Sequence, residues 1–303
     1  MILSVNNVTK SFGEKQVLKG ISFSAEGGKA VGILGRNGAG KTTLIRIIMD
    51  VFGADNGFVF LENKPIREQS VKIGYLPEER GLYPKQKIME QLIYFAALQG
   101  IDKKTAIRNA DTLFKKLNIE EYKNRRLDTL SKGNQQKIQL IATLITDPDI
   151  IILDEPFSGL DPVNASLLKD LVKDLIEKGK LVLFSSHQMN YIEEFCNEIL
   201  ILNGGKIVLS GAIKDIKRSY ARNIIEIETE NVQTITSFLK TSDFDFIKRF
   251  SDNEDKITIT LTDENHKNKL MEVLSQFGNT IDGFIVKEPT LNEIFVSYTE
   301  GQI

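Results

Sequence analysis

The sequence predicts an α/β fold with a mainly parallel sheet, followed by a small α+β domain of ferredoxin-like order. Three observations carry that prediction. "DIIILDEP" and "LVLFSS" are near-continuous apolar runs, as expected of parallel strands covered on both faces. Between them, "NASLLKDLVKDLIEKG" reads as a helix that stops at Gly179, which completes a βαβ unit. Near residue 216 the character changes, and "NIIEIETE" and "KITITL" alternate with period two, as half-exposed strands do.

The remaining elements follow in chain order. "VTKSF" and "LKGISFSAE" are early strands around a turn at Gly13, and "KAVGILG" is a short buried strand ending in glycine. "KTTLIRIIMDVF" puts Leu44, Ile47, Ile48 and Val51 on one helical stripe. "TLSKGNQQKI" opens another helix, with Ser131 as N-cap and Ile138, Ile141, Ala142 and Ile145 at helical spacing. In the last third, "VQTITSFLK" and "NKLMEVLSQF" are helical in period, and "FDFIKRF" and "IDGFIVKE" add strands. The order is β-α-β-β-α-β, a split βαβ pattern, and "TLNEIFVSYT" is a final amphipathic segment. The expected domains are residues 1–215 and 220–303.

Bulk properties bound the function. The 303 residues suffice for one large domain or two ordinary ones. The formal net charge is -2, with both signs spread along the chain, which argues against a broad basic face and a nucleic-acid partner. The one cysteine, Cys196, rules out an internal disulfide, suits a reducing compartment and is expected in the core. The N-terminus lacks a basic region followed by an apolar run, and no stretch approaches the ~18 apolar residues of a membrane span. The expected location is the cytoplasm.

Residues 35–42, Gly35-Arg36-Asn37-Gly38-Ala39-Gly40-Lys41-Thr42, match the phosphate loop G-x-x-x-x-G-K-[ST], with Thr43 following. An apolar strand precedes the loop and a helix follows it, the context a P-loop NTPase requires. Its glycines let backbone N–H groups turn inward without Cβ clashes, and the helix N-terminus adds to this anion cradle. Lys41 is placed for the β- and γ-phosphates and the Thr42 hydroxyl for Mg²⁺. A second acidic element, "IIILDEP", carries Asp154 and Glu155 out of the core at a strand end. Two adjacent carboxylates there need positive charge nearby. Asp154 suits the coordination shell of Mg²⁺, directly or through water, and Glu155 is then free to polarise an attacking water.

With these motifs in place the chain resembles, over residues 1 to about 215, the nucleotide-binding subunit of an ATP-binding-cassette (ABC) transporter. "GRNGAGKTT" is similar to the family's Walker A and "IIILDEP" to its Walker B. "SGLDP", Ser158 to Pro162, resembles the D-loop and includes Asp161. "SSHQM" puts His187 at the switch histidine, and "YLPEERGLYP" occupies the Q-loop region. "LSKGN" stands at the signature motif, and Phe12 in "KSFGEKQVL" matches the aromatic that stacks on adenine. The resemblance is closest to bacterial subunits that pair with ABC-2 type permeases, including the sodium- and antibiotic-export subgroup. That subgroup shares "PEERGLYP", "LSKGNQQK" and an ending like "EPTLNEIF".

The resemblance implies an ATPase using ATP and Mg²⁺, on the cytoplasmic face of the membrane, driving an integral-membrane permease, with export implied by the subgroup it resembles. It implies a homodimer or heterodimer of ATP-binding subunits, in which Ser131, Lys132, Gly133 and Asn134 of one chain meet the γ-phosphate held by the other. The smaller domain is then regulatory or serves dimerisation. Two departures stand out. Lys132 replaces the first glycine of the signature's pair and Asn134 its glutamine; Lys132 adds charge near the phosphates or, the favoured reading, points to solvent. Glu78 occupies the Q-loop glutamine position, where a carboxylate accepts hydrogen bonds but cannot donate as an amide does. The alternative class, a soluble ABC ATPase acting on ribosomes or DNA, fits less well. The chain has one cassette, and the roughly ninety residues between Walker A and signature show no sustained heptads.

Overall fold

The computed structural model describes residues 1–79, 81–157, 160–220, 222–242 and 244–300. The chain forms two compact units, Met1–Ile213 together with the last residues from Phe295 onward, and Lys214–Ile294. The smaller unit is thus inserted between two stretches that belong to the larger.

The larger unit opens with a long hairpin, β1 (Ile2–Phe12) and β2 (Lys15–Glu26), turning at Gly13 with φ +59°. Next come β3 (Ala30–Gly35), α1 (Lys41–Ile48), β4 (Asn56–Leu61), the short β5 (Lys64–Pro65) and β6 (Ile73–Leu76). Three helices follow, α2 (Ile88–Leu98), α3 (Lys103–Lys116) and α4 (Lys132–Leu144). The chain then alternates through β7 (Ile150–Asp154), α5 (Pro162–Glu177), β8 (Leu181–Ser185) and α6 (Met189–Phe195) before β9 (Glu198–Asn203) and β10 (Lys206–Ala212), after which α7 (Ile213–Arg218) leads into the smaller unit.

One sheet has the order β10-β9-β3-β8-β7-β6, parallel except for the β9–β10 hairpin. All five residues of β7 and of β8 are buried, which explains their unbroken apolar sequence. Parallel register aligns Gly35 with Leu202 and Asp154 with Ser185. The carboxyl ends of β3, β7 and β8 therefore gather where ligands bind in open α/β sheets.

A second, antiparallel sheet, β2-β1-β4-β5, joins the two expected early strands to β4 and β5, which the sequence did not announce. β4 reads "NGFVFL", short and with glycine second, and its pairing with β1 on one side and β5 on the other makes it a strand. The two sheets and α1 share one core, in which Leu3, Val5, Ile21, Ile33, Leu44, Ile48, Ile150 and Leu183 are fully buried. Each such side chain contributes about 1.5–3 kcal/mol relative to exposure.

The helix expected over "KTTLIRIIMDVF" is shorter than its apolar stripe. Leu44, Ile47 and Ile48 are buried as the stripe requires, but Asp50 turns left-handed at φ +55° and Val51 is 60% exposed. Cys196 is buried, as expected, one residue beyond the end of α6.

The smaller unit contains β11 (Ile224–Thr229), α8 (Val232–Thr241), β12 (Ile247–Asp252), β13 (Lys256–Leu261), α9 (Lys267–Leu274) and β14 (Ile281–Lys287). Its sheet is antiparallel, in the order β12-β13-β11-β14. Ile225, Ile227, Ile257 and Ile259 point to one side, where Ile235 and Leu239 of α8 and Leu270 and Leu274 of α9 cover them. On the opposite side Lys256 bridges Glu226 at 3.1 Å and Glu228 at 3.0 Å. The closing helix α10 (Leu291–Thr299) runs from this unit into the larger one. There the Tyr298 carbonyl accepts from Asn203 Nδ2 at 3.0 Å, and Glu300 pairs with Arg36 at 3.7 Å.

Candidate active site

The phosphate loop joins β3 to α1. Gly38 and Gly40 have φ +81° and +108°, a region open to glycine and strained for other residues. A Cβ at Gly40 would come within 2.7 Å of Leu18 Cδ2, and one at Gly35 within 2.8 Å of the Leu202 carbonyl. The loop can curl only because both positions lack side chains. Ala39 is buried, while Arg36, Asn37 and Thr42 are exposed. Lys41 Nζ donates to the Gly35 carbonyl at 2.6 Å and the Arg36 carbonyl at 3.4 Å. Burial lowers the Lys41 pKa, and the charges of Asp154, Glu155 and Glu78 oppose that shift. Four of the sequence-predicted residues therefore share one electrostatic environment.

Asp154 ends β7 and is 7% exposed. Burial raises its pKa, against hydrogen bonding from Tyr75 and the charge of Lys41. The Tyr75 hydroxyl, from β6, donates to Asp154 Oδ2 at 3.3 Å. Burial and the Asp154 charge push the phenol up to about 12. A buried carboxylate next to an ammonium already committed to backbone carbonyls offers oxygen donors only. That set suits a hard dication such as Mg²⁺, which typically draws one or two protein ligands and completes its shell with phosphate oxygens and water.

Glu155 has φ +50° and its N–H donates to the Ser185 carbonyl at 2.8 Å. Its carboxylate is 8% exposed in the residue sense and is clasped by the segment after β8. Oε1 accepts from the His187 backbone N–H at 2.7 Å and lies 2.8 Å from His187 Nδ1. Oε2 accepts from the Ser186 hydroxyl at 3.0 Å. The His187 side chain is otherwise open to solvent, 74% exposed.

Phe12 closes β1 and is 52% exposed, edge-on to Phe52 with ring centroids 5.8 Å apart. The β1–β2 hairpin that carries it also brings Val17 and Leu18 against Gly40. Phe12 thus presents an exposed aromatic ring on the hairpin that packs against the phosphate loop.

The signature residues form a second cluster. Ser131 caps α4, its hydroxyl accepting from the Asn134 N–H at 3.3 Å. Lys132 is exposed, in line with the favoured reading of the sequence. A Cβ on Gly133 would lie 3.4 Å from Asn164 Nδ2. Asp161 caps α5 through the Asn164 N–H at 2.9 Å, and this bond leads in lowering its pKa. Signature and D-loop thus meet through Asn164; Ser158 of the D-loop lies outside the described residues. No hydrogen bond or ion pair among the described residues joins Ser131–Asn134 to the phosphate loop of the same chain.

Sequence reasoning missed three polar residues here. Tyr75 and Ser186 hold the two acidic residues. Gln139 of α4, 4% exposed, donates to the carbonyls of Pro77 at 3.4 Å and Glu79 at 3.1 Å, tying the signature helix to the loop that carries exposed Glu78. The doubled serine before His187 was the one available signal.

Comparison with known proteins agrees with this geometry. The ABC transporter family profile matches residues 18–158, and a profile for the C-terminal domain of DrrA1-3-like ATP-binding proteins matches residues 211–299. The chain is 39% identical over 296 residues to the uncharacterized ABC transporter ATP-binding protein YhaQ of Bacillus subtilis, covering 97% of each. It is 32% identical over 227 residues to the ABC transporter ATP-binding protein NatA of that organism, covering 72% of this chain and 92% of NatA. The linearmycin resistance ATP-binding protein LnrL, also of Bacillus subtilis, is 27% identical over 306 residues and 98% of both chains. A solved ATP-binding subunit of an ABC transporter superposes with a TM-score of 0.67 at 26% identity, over 72% of this chain and 93% of that one. The chain belongs to the ATP-binding proteins of ABC transporters, ATPases whose hydrolysis is coupled to transport.

Proposed function

We propose that the chain powers export through a separate permease of the ABC-2 type, working at the cytoplasmic face of the membrane as one of two ATP-binding subunits. The observation that carries this reading is the division of the site into two clusters. The phosphate loop, Asp154, Glu155 and His187 are complete on one side. The capped N-terminus of α4 is presented separately. A helix N-terminus favours an anion, so Ser131, Lys132, Gly133 and Asn134 serve the γ-phosphate held by a second subunit. NatA and LnrL, the relatives named for transport and drug resistance, support the export class.

In this reading Gly35, Arg36, Asn37, Gly38, Ala39, Gly40, Lys41, Thr42 and Thr43 cradle the phosphates and Phe12 stacks on adenine. Thr42 and Asp154, the latter directly or through water, would hold Mg²⁺, which would supply positive charge beside the phosphates. Glu155 orients the attacking water, and His187 exchanges its bond to Glu155 for one to the γ-phosphate. Glu78 and the loop around it face the permease. A groove of about 390 Å³ next to that loop, lined by Tyr83, Gln86, Glu90, Gln91 and Tyr94, receives a cytoplasmic segment of the permease. The larger unit holds the ATPase machinery, and the smaller unit, expected from the sequence at 220–303 and here Lys214–Ile294, is regulatory or serves dimerisation. No helix among the described residues is long and apolar enough to cross a membrane, so the transport path is assigned to the partner.

The test is purification of the tagged chain from detergent-solubilised membranes of its own host, with mass spectrometry of what accompanies it. A multi-span ABC-2 type permease in stoichiometric amount is the expected result. Ribosomal proteins or DNA in its place would overturn the transport assignment.

A further inference from the structure

We infer that Ser186 is a positioning residue for ATP hydrolysis, fixing the Glu155 carboxylate through a directed hydrogen bond. The inference rests on the assignment of Glu155 as the group that orients water. A serine hydroxyl has one proton to donate and lone pairs to accept with. At Ser186 Oγ accepts the Gln188 N–H at 3.0 Å, and the ionised Glu155 carboxylate beside it can only accept. The Ser186 proton is directed at Glu155 Oε2, also at 3.0 Å. Ser186 is 3% exposed, so bulk water does not compete for either bond.

The two carboxylate oxygens of Glu155 are held by different means. Oε1 is bound by the His187 N–H and imidazole. Oε2 has, among the described residues, only the Ser186 hydroxyl. The exposed His187 ring is the partner able to leave when a nucleotide arrives. Ser186 cannot follow it, since its own loop is pinned by the Gln188 bond and by the Glu155 N–H on the Ser185 carbonyl at 2.8 Å. The Glu155 backbone is fixed in a left-handed conformation at φ +50°, which leaves the side-chain torsions as its remaining freedom. Ser186 restrains those torsions. With Oε2 engaged, Oε1, still held by the His187 backbone N–H, is the oxygen that faces the attacking water once the His187 ring has turned away. A hydrogen bond to an ionised acceptor is among the stronger kinds, and misplacing a base by a fraction of an ångström slows a reaction steeply.

The experiment compares Ser186→Thr, which keeps the hydroxyl, with Ser186→Val, which has the same shape without it, and Ser186→Ala, which relieves any crowding. Glu155→Gln runs in parallel. Turnover and KM for ATP are measured with ATP-dependent dimer formation by light scattering. Ala and Val are expected to lower kcat about tenfold or more, the range for a lost charge-assisted bond, with KM within about twofold. Both should still form the ATP-dependent dimer and hold it longer than the parent. Thr should recover most of the rate. Parental kcat in Ala and Val overturns the inference, as does loss of the dimer together with the rate, or a Thr variant as slow as Val. A near-normal rate in Glu155→Gln overturns the assignment beneath it, whereas an inactive Glu155→Gln beside a fully active Ser186→Ala removes the inference alone.

Discussion

Lys41 Nζ lies 2.6 Å from the carbonyl oxygen of Gly35, six residues back along its own loop. The ammonium occupies backbone acceptors at the place where phosphate oxygens would compete for it. Replacing Lys41 with Ala should weaken ATP binding about 10–100-fold, the value of one or two charge-assisted bonds. Titration with a fluorescent ATP analogue measures it, and an unchanged affinity would contradict the assignment of Lys41 to the phosphates.

Glu155→Gln keeps the shape and the acceptor at one oxygen but removes the charge. Turnover should fall roughly 10²–10⁴-fold, as for other general bases. ATP binding should persist, because the phosphate loop is intact, so an ATP-bound dimer should accumulate on size-exclusion chromatography. Steady-state ATPase rates within threefold of the parent would remove Glu155 from its role.

Ser131→Arg separates a helix cap from a contact made in trans. A lost cap costs about 1 kcal/mol and would leave association intact. In a Glu155→Gln background the expected result is ATP binding by each chain without ATP-dependent dimerisation. Dimers as stable as those of Glu155→Gln alone would return Ser131 to the role of an ordinary cap.

Gly57 tests the fold away from the site. It has φ +83°, and a Cβ there would collide with the Asn6 and Asn7 carbonyls of β1. Gly57→Ala should destabilise the larger unit by about 2–4 kcal/mol and lower its unfolding midpoint by about 5–10 °C. An unchanged midpoint in differential scanning calorimetry would mean that β1 and β4 part without penalty.

The parts of the site legible in the sequence were those whose chemistry is contiguous. Gly35 to Thr42 make their own cradle, and Asp154 and Glu155 announce themselves as adjacent acids after four buried apolar residues. What escaped depends on neighbours distant in the chain. Tyr75 and Asp154 are 79 residues apart and Ser186 and Glu155 are 31 apart, so no local pattern records their bonds. The fold behaved likewise. β7 and β8 are legible because burial on both faces makes them uniformly apolar. β4, held by its register with β1, is not. At α1 the apolar period outlasts the helix, since the left-handed Asp50 ends the turn before Val51 can pack.

The route of the chain makes the smaller unit an insert with two anchorages. It leaves the larger unit at Ile213 and returns at Phe295. A truncation near residue 218 therefore removes more than the insert. It also strips away Tyr298, which receives Asn203, and Glu300, which pairs with Arg36 of the phosphate loop. A faithful deletion excises residues 214–294 and rejoins the flanks with a flexible linker, whose closure entropy grows only slowly with length. Any force applied to the insert by a partner is likewise delivered at two points, one at the end of β10 and the other on the segment that touches the phosphate loop.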